Sequence, residues 1–453
     1  MKRTFLDIIV VFLVSSTILY FSPSSYTVSS LDFSSLSFSP LIPHEPIIIN
    51  SNEGFLDYGF PGTGTKEDPF IIENLNITTS DDDGISINST SKHFIIRNCY
   101  LDSHKIGIGI RYVSPGTTSV VNNTCFYSRF HGICMVRTDN ALIANNTCAH
   151  NYWLGIFLNT CNNSVIKGNV LFNNTKGGLD VEYSLHPLIE DNYIYDNTYY
   201  GGIRLLRTNN AEIRNNTLQF DRSNGIQLAL SNNSIVADNF FIYCLNGILL
   251  KWSENNEIFN NTCITGGYGI IIVDSNTSTI LSNNLTHNYA GICFYRSLDF
   301  AVINNSCYDN VYGMSIFNSN TSTFSYNIIQ NSTLYGVTLD SLSSSNLFHH
   351  NAFIRNNPEG FSQASDNGTD NNWYYKRKGN YWSDWLKGDY LIDGTVKSVD
   401  RHPLSEYLKY STHKTSLDSF WGVVFSLFLF TVVTRVIILK RARLFVKSFN
   451  SET

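Results

Sequence analysis

The sequence predicts an all-β fold, a single-stranded right-handed parallel β-helix (solenoid) of about 13 coils. Three observations predict it. A glycine followed by alternating apolar residues recurs every 22–25 residues. An asparagine recurs with a similar spacing. The pattern between them alternates with period two, as in strands, and not with the 3.6-residue period of helical repeats.

The glycine series runs GISI at 84, GIRY at 109, GICM at 132, GIFL at 155, GLDV at 178, GIRL at 202 and GIQL at 225. It continues with GILL at 247, GIII at 269, GICF at 291, GMSI at 313, GVTL at 336 and a degenerate GFSQ at 360. In each member the residues at Gly+1 and Gly+3 point inward and Gly+2 points outward. Identical positions then stack about 4.8 Å apart along the axis. The outward column begins Arg111, Cys134, Phe157, Asp180, Arg204, Gln227.

The asparagine series is Asn98, Asn123, Asn146, Asn169, Asn192, Asn216, Asn239, Asn261, Asn284, Asn305, Asn327 and Asn351. Stacked amides can bond one coil to the next as a ladder. Two residues after most of these stands an inward apolar or small side chain. Cys125, Cys148, Cys263 and Cys307 fall there, which makes them core residues. Nine cysteines with no CxxC pair argue against a zinc ribbon or a dithiol redox site.

Charged residues make up 15% of the 453, and the net charge of −6 carries no basic footprint for nucleic acid. Both ends are apolar. Met1-Lys2-Arg3 and the run after it read as a signal peptide or signal anchor over 1–30. A linker and cap over 31–83 lead to the coils at 84–370. A closing module covers 371–408 and a linker 409–419. Residues 420–439 are apolar over the length of a membrane span, and 440–453 form a basic tail that stays cytoplasmic. The expected location is therefore the cell membrane, single-pass, or two-pass if the N-terminal anchor is retained, with the bulk of the chain outside.

The opening stretch HEPIIIN…GTGTKEDPFIIENLNI…KHFIIRNC (44–99) and the closing GNYWSDW (379–385), followed by IDG and DRHPL, resemble archaeal surface β-helix proteins of the NosD-like, CASH-type class. The resemblance covers roughly 44–404. It implies the β-helix and a role in carbohydrate binding or processing, and the family name adds metal (copper) delivery. Relatives carry an acidic stretch after GNYWSDW that suits calcium. Here only Asp384, Asp389 and Asp393 stand there, against the six to eight oxygens that calcium takes. No cofactor is expected, calcium being the one candidate.

Candidate chemistry is sparse. Asp180 and Glu182 face outward on one strand, with Arg204 one coil on. A carboxylate pair with an arginine can do acid/base work on a glycoside or uronate, although the same set makes an ordinary surface ion pair. Phe157, Tyr183, Tyr199 and Tyr200, with Trp153 and Trp252, are outward aromatics suited to stacking on sugar rings. Fifteen N-x-S/T sequons occur; those on turns, Asn162, Asn232, Asn276 and Asn320, are the expected glycosylation acceptors. Histidines and methionines share no column, so no metal ligands are assigned. The expected function is a membrane-anchored extracellular rod that binds polysaccharide or cell-envelope glycan without catalysis. The alternative is a polysaccharide lyase, glycoside hydrolase or epimerase, and metal delivery comes third.

Overall fold

Strands of two to six residues build the molecule, most of them ending at a tight corner. The computed structural model describes residues 41–406; the segments expected to be a signal (1–30), a transmembrane helix (420–439) and a cytoplasmic basic tail (440–453) lie outside the described residues. Among those residues, no helix is long and apolar enough to cross a membrane. Three parallel sheets of 15, 14 and 13 strands run the length of the solenoid, here called A, B and C, and thirteen coils contribute a strand to all three. Leu142–Ala144 in C, Thr147–Ala149 in A and Leu154–Asn159 in B illustrate one passage of the chain.

Each strand buries alternate residues, as period two requires. In sheet B Ile133, Ile156 and Leu179 are register partners, essentially without exposure. Cys125 and Cys148 are partners in sheet A. All nine cysteines are buried and unbridged.

The ends of the core are closed by aromatic side chains, as a solenoid requires. A four-residue helix α1 (Gly54–Asp57) puts Phe55 against Phe70 with ring centroids 4.7 Å apart. At the other end Trp382 of the GNYWSDW motif lies between Phe353 (4.2 Å) and Tyr390 (4.0 Å). The closing module thus continues the solenoid: Tyr381–Trp382 is the last strand of sheet A.

The asparagine ladder is present at the corner between C and A. The backbone N–H and the Nδ2 of Asn123 both donate to Oδ1 of Asn146, at 3.0 and 3.1 Å, while Nδ2 also donates to the Ile96 carbonyl. The chain of bonds passes through Asn169, Asn192, Asn216, Asn239, Asn261, Asn283, Asn305, Asn327 and Asn351 to Asn380. It ends on Asp400, whose Oδ2 accepts from Asn380 N–H at 2.7 Å and from Trp382 Nε1.

The structure corrects four registers. The rung is Asn283 and not Asn284, whose place is on the strand Asn284–Thr286. Asn98 is not a rung either; Cys99 holds that position and its N–H donates to Asn123. Both errors have one cause. The corner residue before each rung from Asn123 to Asn351 has positive φ, as at Asn122, Asn145 and Ser282, and so does Asn98 before Cys99, a conformation Asn tolerates better than most residues. In an Asn-Asn pair the first residue turns the corner and the second bonds along the axis, so a lone Asn or a Ser-Asn-Asn run misleads. In GIGIRY the strand glycine is Gly107, because Gly109 pairs with Cys134; Arg111 pairs with Val136 and leaves the column assigned to it. Finally, the last sheet-B strand is Ala364–Asp366 instead of GFSQ at 360, and the first is Ile47–Ile49, so coils begin well before Gly84.

Candidate functional site

Sheet B carries the charged cluster. Register pairs Phe157 with Asp180 and Asp180 with Arg204 on successive coils, while Glu182 pairs with Asn159 and Leu206. Outward side chains two residues apart on one strand share a face, and the arginine one coil on reaches both. Arg204 Nε donates to Asp180 Oδ2 at 3.0 Å, and its Nη2 donates to that oxygen and to Glu182 Oε1. The Tyr200 ring covers the guanidinium at 4.1 Å.

The cluster that the sequence brings together is therefore real, but it is closed. Asp180 points outward yet is only 1% exposed, and its Oδ1 is buried with no hydrogen-bond partner. Burial pushes its carboxyl up to about 7, against the pull of Arg204. A proton held near neutrality suits acid/base work. Arg204, however, occupies the space between the two carboxylates, where an acid/base pair would have to receive substrate.

His131 adjoins the cluster on the same face. Its ring stacks on Phe157 (4.9 Å) and meets Trp153 edge-on. Burial, with Arg111 nearby, lowers its pKa to about 4. Phe157 is consequently a half-buried wall rather than an open platform. Tyr199 and Tyr200 meet edge-on at 4.9 Å, and each of the three outward tyrosines carries a cation: Arg207 lies over Tyr183, Lys176 over Tyr199 and Arg204 over Tyr200. Trp252 is likewise covered by Lys251.

Asn162, Asn232, Asn276 and Asn320 lie at the corner between B and C. Their Oδ1 atoms accept N–H bonds from Leu185, Glu254, Leu298 and Ser344 one coil on. They are half-buried spacers of the corner as well as sequon residues.

The acidic residues of the closing module do not converge. Asp384 accepts from Gln363 Nε2 and the Tyr390 hydroxyl, and Asp393 accepts from Tyr335. Among the described residues no three His, Cys, Asp or Glu side chains are placed to hold a metal ion. Copper ligands want His, Cys or Met at one point. His349 and His350 bring two Nδ1 atoms within 2.6 Å, with no third donor beside them. The thiols are enclosed, and burial pushes Cys99, Cys134, Cys293 and Cys307 up to about 12. The donor set does not fit copper.

Sequence reasoning missed the corner between A and B. There Phe220 and Tyr243 stand exposed beside a cleft. Their spacing of 23 is visible in the sequence, but the sign of φ at the corner is not.

The family model described as periplasmic copper-binding protein (NosD) matches residues 47–219 and 200–386. No curated protein sequence matches the chain significantly. Among solved structures, the A-module of the mannuronan C-5 epimerase AlgE6 of Azotobacter vinelandii is similar, with a TM-score of 0.53 at 13% identity. The match covers 74% of this chain and 100% of that one. The periplasmic alginate epimerase AlgG (T265N mutant) gives 0.46 at 13% identity, over 74% and 85%. The alginate lyase AlyF-OU02 in complex with G6 gives 0.44 at 12%, over 83% and 94%. At such identities the likeness, carried by the first of the three, is one of fold.

Proposed function

The chain belongs to the NosD family, with a β-helix but no convergent copper donors among its described residues, and on that premise we propose that it is an extracellular rod that binds glycan without cleaving it. The observation that carries this reading is the exposed, stacked pair Phe220 and Tyr243 at a corner of successive coils. Aromatic rings offer an apolar face to the C–H face of a sugar, and a solenoid repeats such positions along a long surface. The fold shared with an epimerase of mannuronan supports a polysaccharide ligand by analogy alone. The apolar run 420–439 and the basic residues after it support a tether in the cell membrane.

The test is a glycan array probed with the full chain in detergent, with bound polymers then checked for cleavage. Retention of one or more glycans without shortened products is the expected result. No retained glycan would sink the reading.

One observation favours a second reading, a lyase or epimerase: Asp180 holds its proton near neutrality beside Arg204. Release of unsaturated or epimerised product, abolished in Asp180→Asn, would establish it instead.

A further inference from the structure

The corner between A and B turns on a column of positive-φ residues, one per coil: Asn173, Asp196, Phe220, Tyr243, Thr265 and onward. Asn and Asp suit this conformation, as at Asn173 and Asp196, whereas for a bulky side chain it is strained. Phe220 (φ 54°) and Tyr243 (φ 56°) hold it nonetheless. Core packing does not account for them, since they are 48% and 52% exposed. Tyr127 in the same column is likewise exposed at φ 58°, so what sets Phe220 and Tyr243 apart is not the backbone but the cleft beside them.

The surroundings agree. The two rings stack at 5.2 Å with planes 10° apart, so each covers one face of the other, and among the described residues no third ring joins them. Beside them is a cleft of about 510 Å³ whose lining includes Asp196, Arg222, Leu245 and Gly267. Its floor is bare for a structural reason. A Cβ on Gly266 would come within 2.5 Å of the Cys244 carbonyl oxygen, and one on Gly267 within 2.6 Å of that of Leu245. Adjacent coils approach too closely there for side chains, and room is left next to Tyr243. Among the described residues no cation lies over either ring, unlike Tyr183, Tyr199 and Tyr200.

We propose that this cleft is where the rod holds its glycan, and that the ligand is an uncharged hexose chain. One pyranose ring lies on Tyr243, and Asp196 and Arg222 bond its hydroxyls. A sugar has one C–H face and a rim of hydroxyls, which matches an open cleft with an aromatic wall and one acid and one base at its edge. Asp196 and Arg222 at the edge, with the buried Asp221 behind them, give no net attraction for a polyuronate. The inference rests on the glycan-binding reading and names its site and ligand class.

The experiment is calorimetric titration of the full chain in detergent with neutral hexose oligosaccharides (gluco-, manno- and galacto-configured) and with oligomannuronate. The variants are Phe220→Asn and Tyr243→Asn, with Tyr127→Asn as control from the same corner column. Asparagine fits the corner backbone, so neither cleft variant lowers the melting temperature. Both weaken binding of the neutral chain about tenfold or more, and Tyr127→Asn leaves it unchanged. Full affinity in Tyr243→Asn would overturn the cleft while leaving glycan binding intact. Binding confined to oligomannuronate would overturn the ligand class. A parent chain that binds no glycan would remove this inference and the function it rests on.

Discussion

Two ladders of side chains run along the solenoid, and they differ in one respect. At the corner between C and A the asparagine ladder is unbroken from Asn123 to Asn380. At the corner between A and B a second ladder starts in the same way. Ser128 N–H donates to Asn151, Asn151 to Asn174, Asn174 to Asn197 and Asn197 to Asp221. The next two positions are Cys244 and Gly266, and amide rungs resume only at Asn288. The gap coincides with the cleft, whose lining includes Asp221, Cys244 and Gly266. An unbroken ladder ties coils together and leaves a featureless edge. A broken one exchanges some of that stabilisation for a feature on the surface.

Cutting the unbroken ladder gives the largest expected effect. Asn216 accepts from the N–H and Nδ2 of Asn192 and donates to Ile189, Arg214 and Asn239. Asn216→Leu removes all five bonds and leaves the buried Asn192 N–H without its acceptor, while Asn192 Nδ2 keeps the Ile166 carbonyl and Asn239 Oδ1 keeps the Asn216 N–H, at ~1–3 kcal/mol for each group that stays unsatisfied. We expect a loss of about 3 kcal/mol or more, read as a fall in melting temperature. Hydrogen exchange should show the loss concentrated in the coils on either side.

Asp221 sharpens the comparison through pH. Asn174 and Asn197 donate Nδ2 to the carbonyls of Cys148 and Leu171. Register places Ile194 as the corresponding acceptor for the next rung. Asp221 Oδ2 is buried and has no partner, so only a protonated acid can fill that role. Burial raises its pKa well above the usual carboxylate range, with Asp196 adding repulsion and the Asn197 hydrogen bonds opposing. Below about pH 4 the folded and unfolded chains both hold this proton. Above it the unfolded chain releases the proton while the folded chain keeps it. Stability therefore falls as pH rises, until the raised folded value is passed. Asp221→Asn supplies the amide, so it should gain about 1–2 kcal/mol at pH 7 and no gain at pH 3.5. Melting curves at pH 3.5, 5 and 7 check both. A gain independent of pH would mean that Asp221 is already ionised in the folded chain.

Mending the next rung should do less. Cys244 is buried, and its thiol makes only long contacts, to the Leu218 carbonyl at 3.7 Å and the Ile242 carbonyl at 3.9 Å. Cys244→Asn would place Nδ2 toward Leu218 and Oδ1 toward the N–H of Asp221, for a gain of about 1 kcal/mol. The following rung is Gly266, which offers no side-chain acceptor, so the repair stays incomplete. A melting temperature that falls would show that the space around Cys244 is too tight for an amide.

Much of this was legible in the sequence. Ten rungs were expected on the asparagine series from Asn123 to Asn327, and nine stand where they were placed; Asn284 alone yields its place to Asn283. The Asp180, Glu182 and Arg204 cluster follows from strand alternation plus one coil of register. Its closure was not legible, because that depends on Tyr200 and Arg204 folding over the acid. The second ladder was missed because its rungs mix Ser, Asn, Asp, Cys and Gly, and no single letter recurs. The cleft was missed for a different reason. An aromatic residue every 23 positions reads equally as cover for a neighbouring coil or as an open platform, and only the corner backbone tells them apart.

The smallest prediction isolates that corner strain from ligand binding. Leu230 turns the corner between B and C with φ 53° and is exposed, and its N–H donates to the Lys251 carbonyl one coil on. Asn318 and Asp274 serve the same corner with side chains suited to that conformation. A left-handed non-glycine residue costs roughly 1–2 kcal/mol, of which Asn recovers a part through local hydrogen bonding. Leu230→Asn should therefore gain about 0.5–1 kcal/mol, seen as a small rise in melting temperature with glycan affinity unchanged. Phe220→Asn relieves the same strain one corner earlier and should show a gain of similar size. Equal gains with affinity lost only in Phe220→Asn would separate what the corner backbone prefers from what the cleft requires. If Leu230→Asn lowered stability instead, the left-handed corner would not be strained for a bulky side chain. The case for Phe220 and Tyr243 rests on the cleft in either outcome.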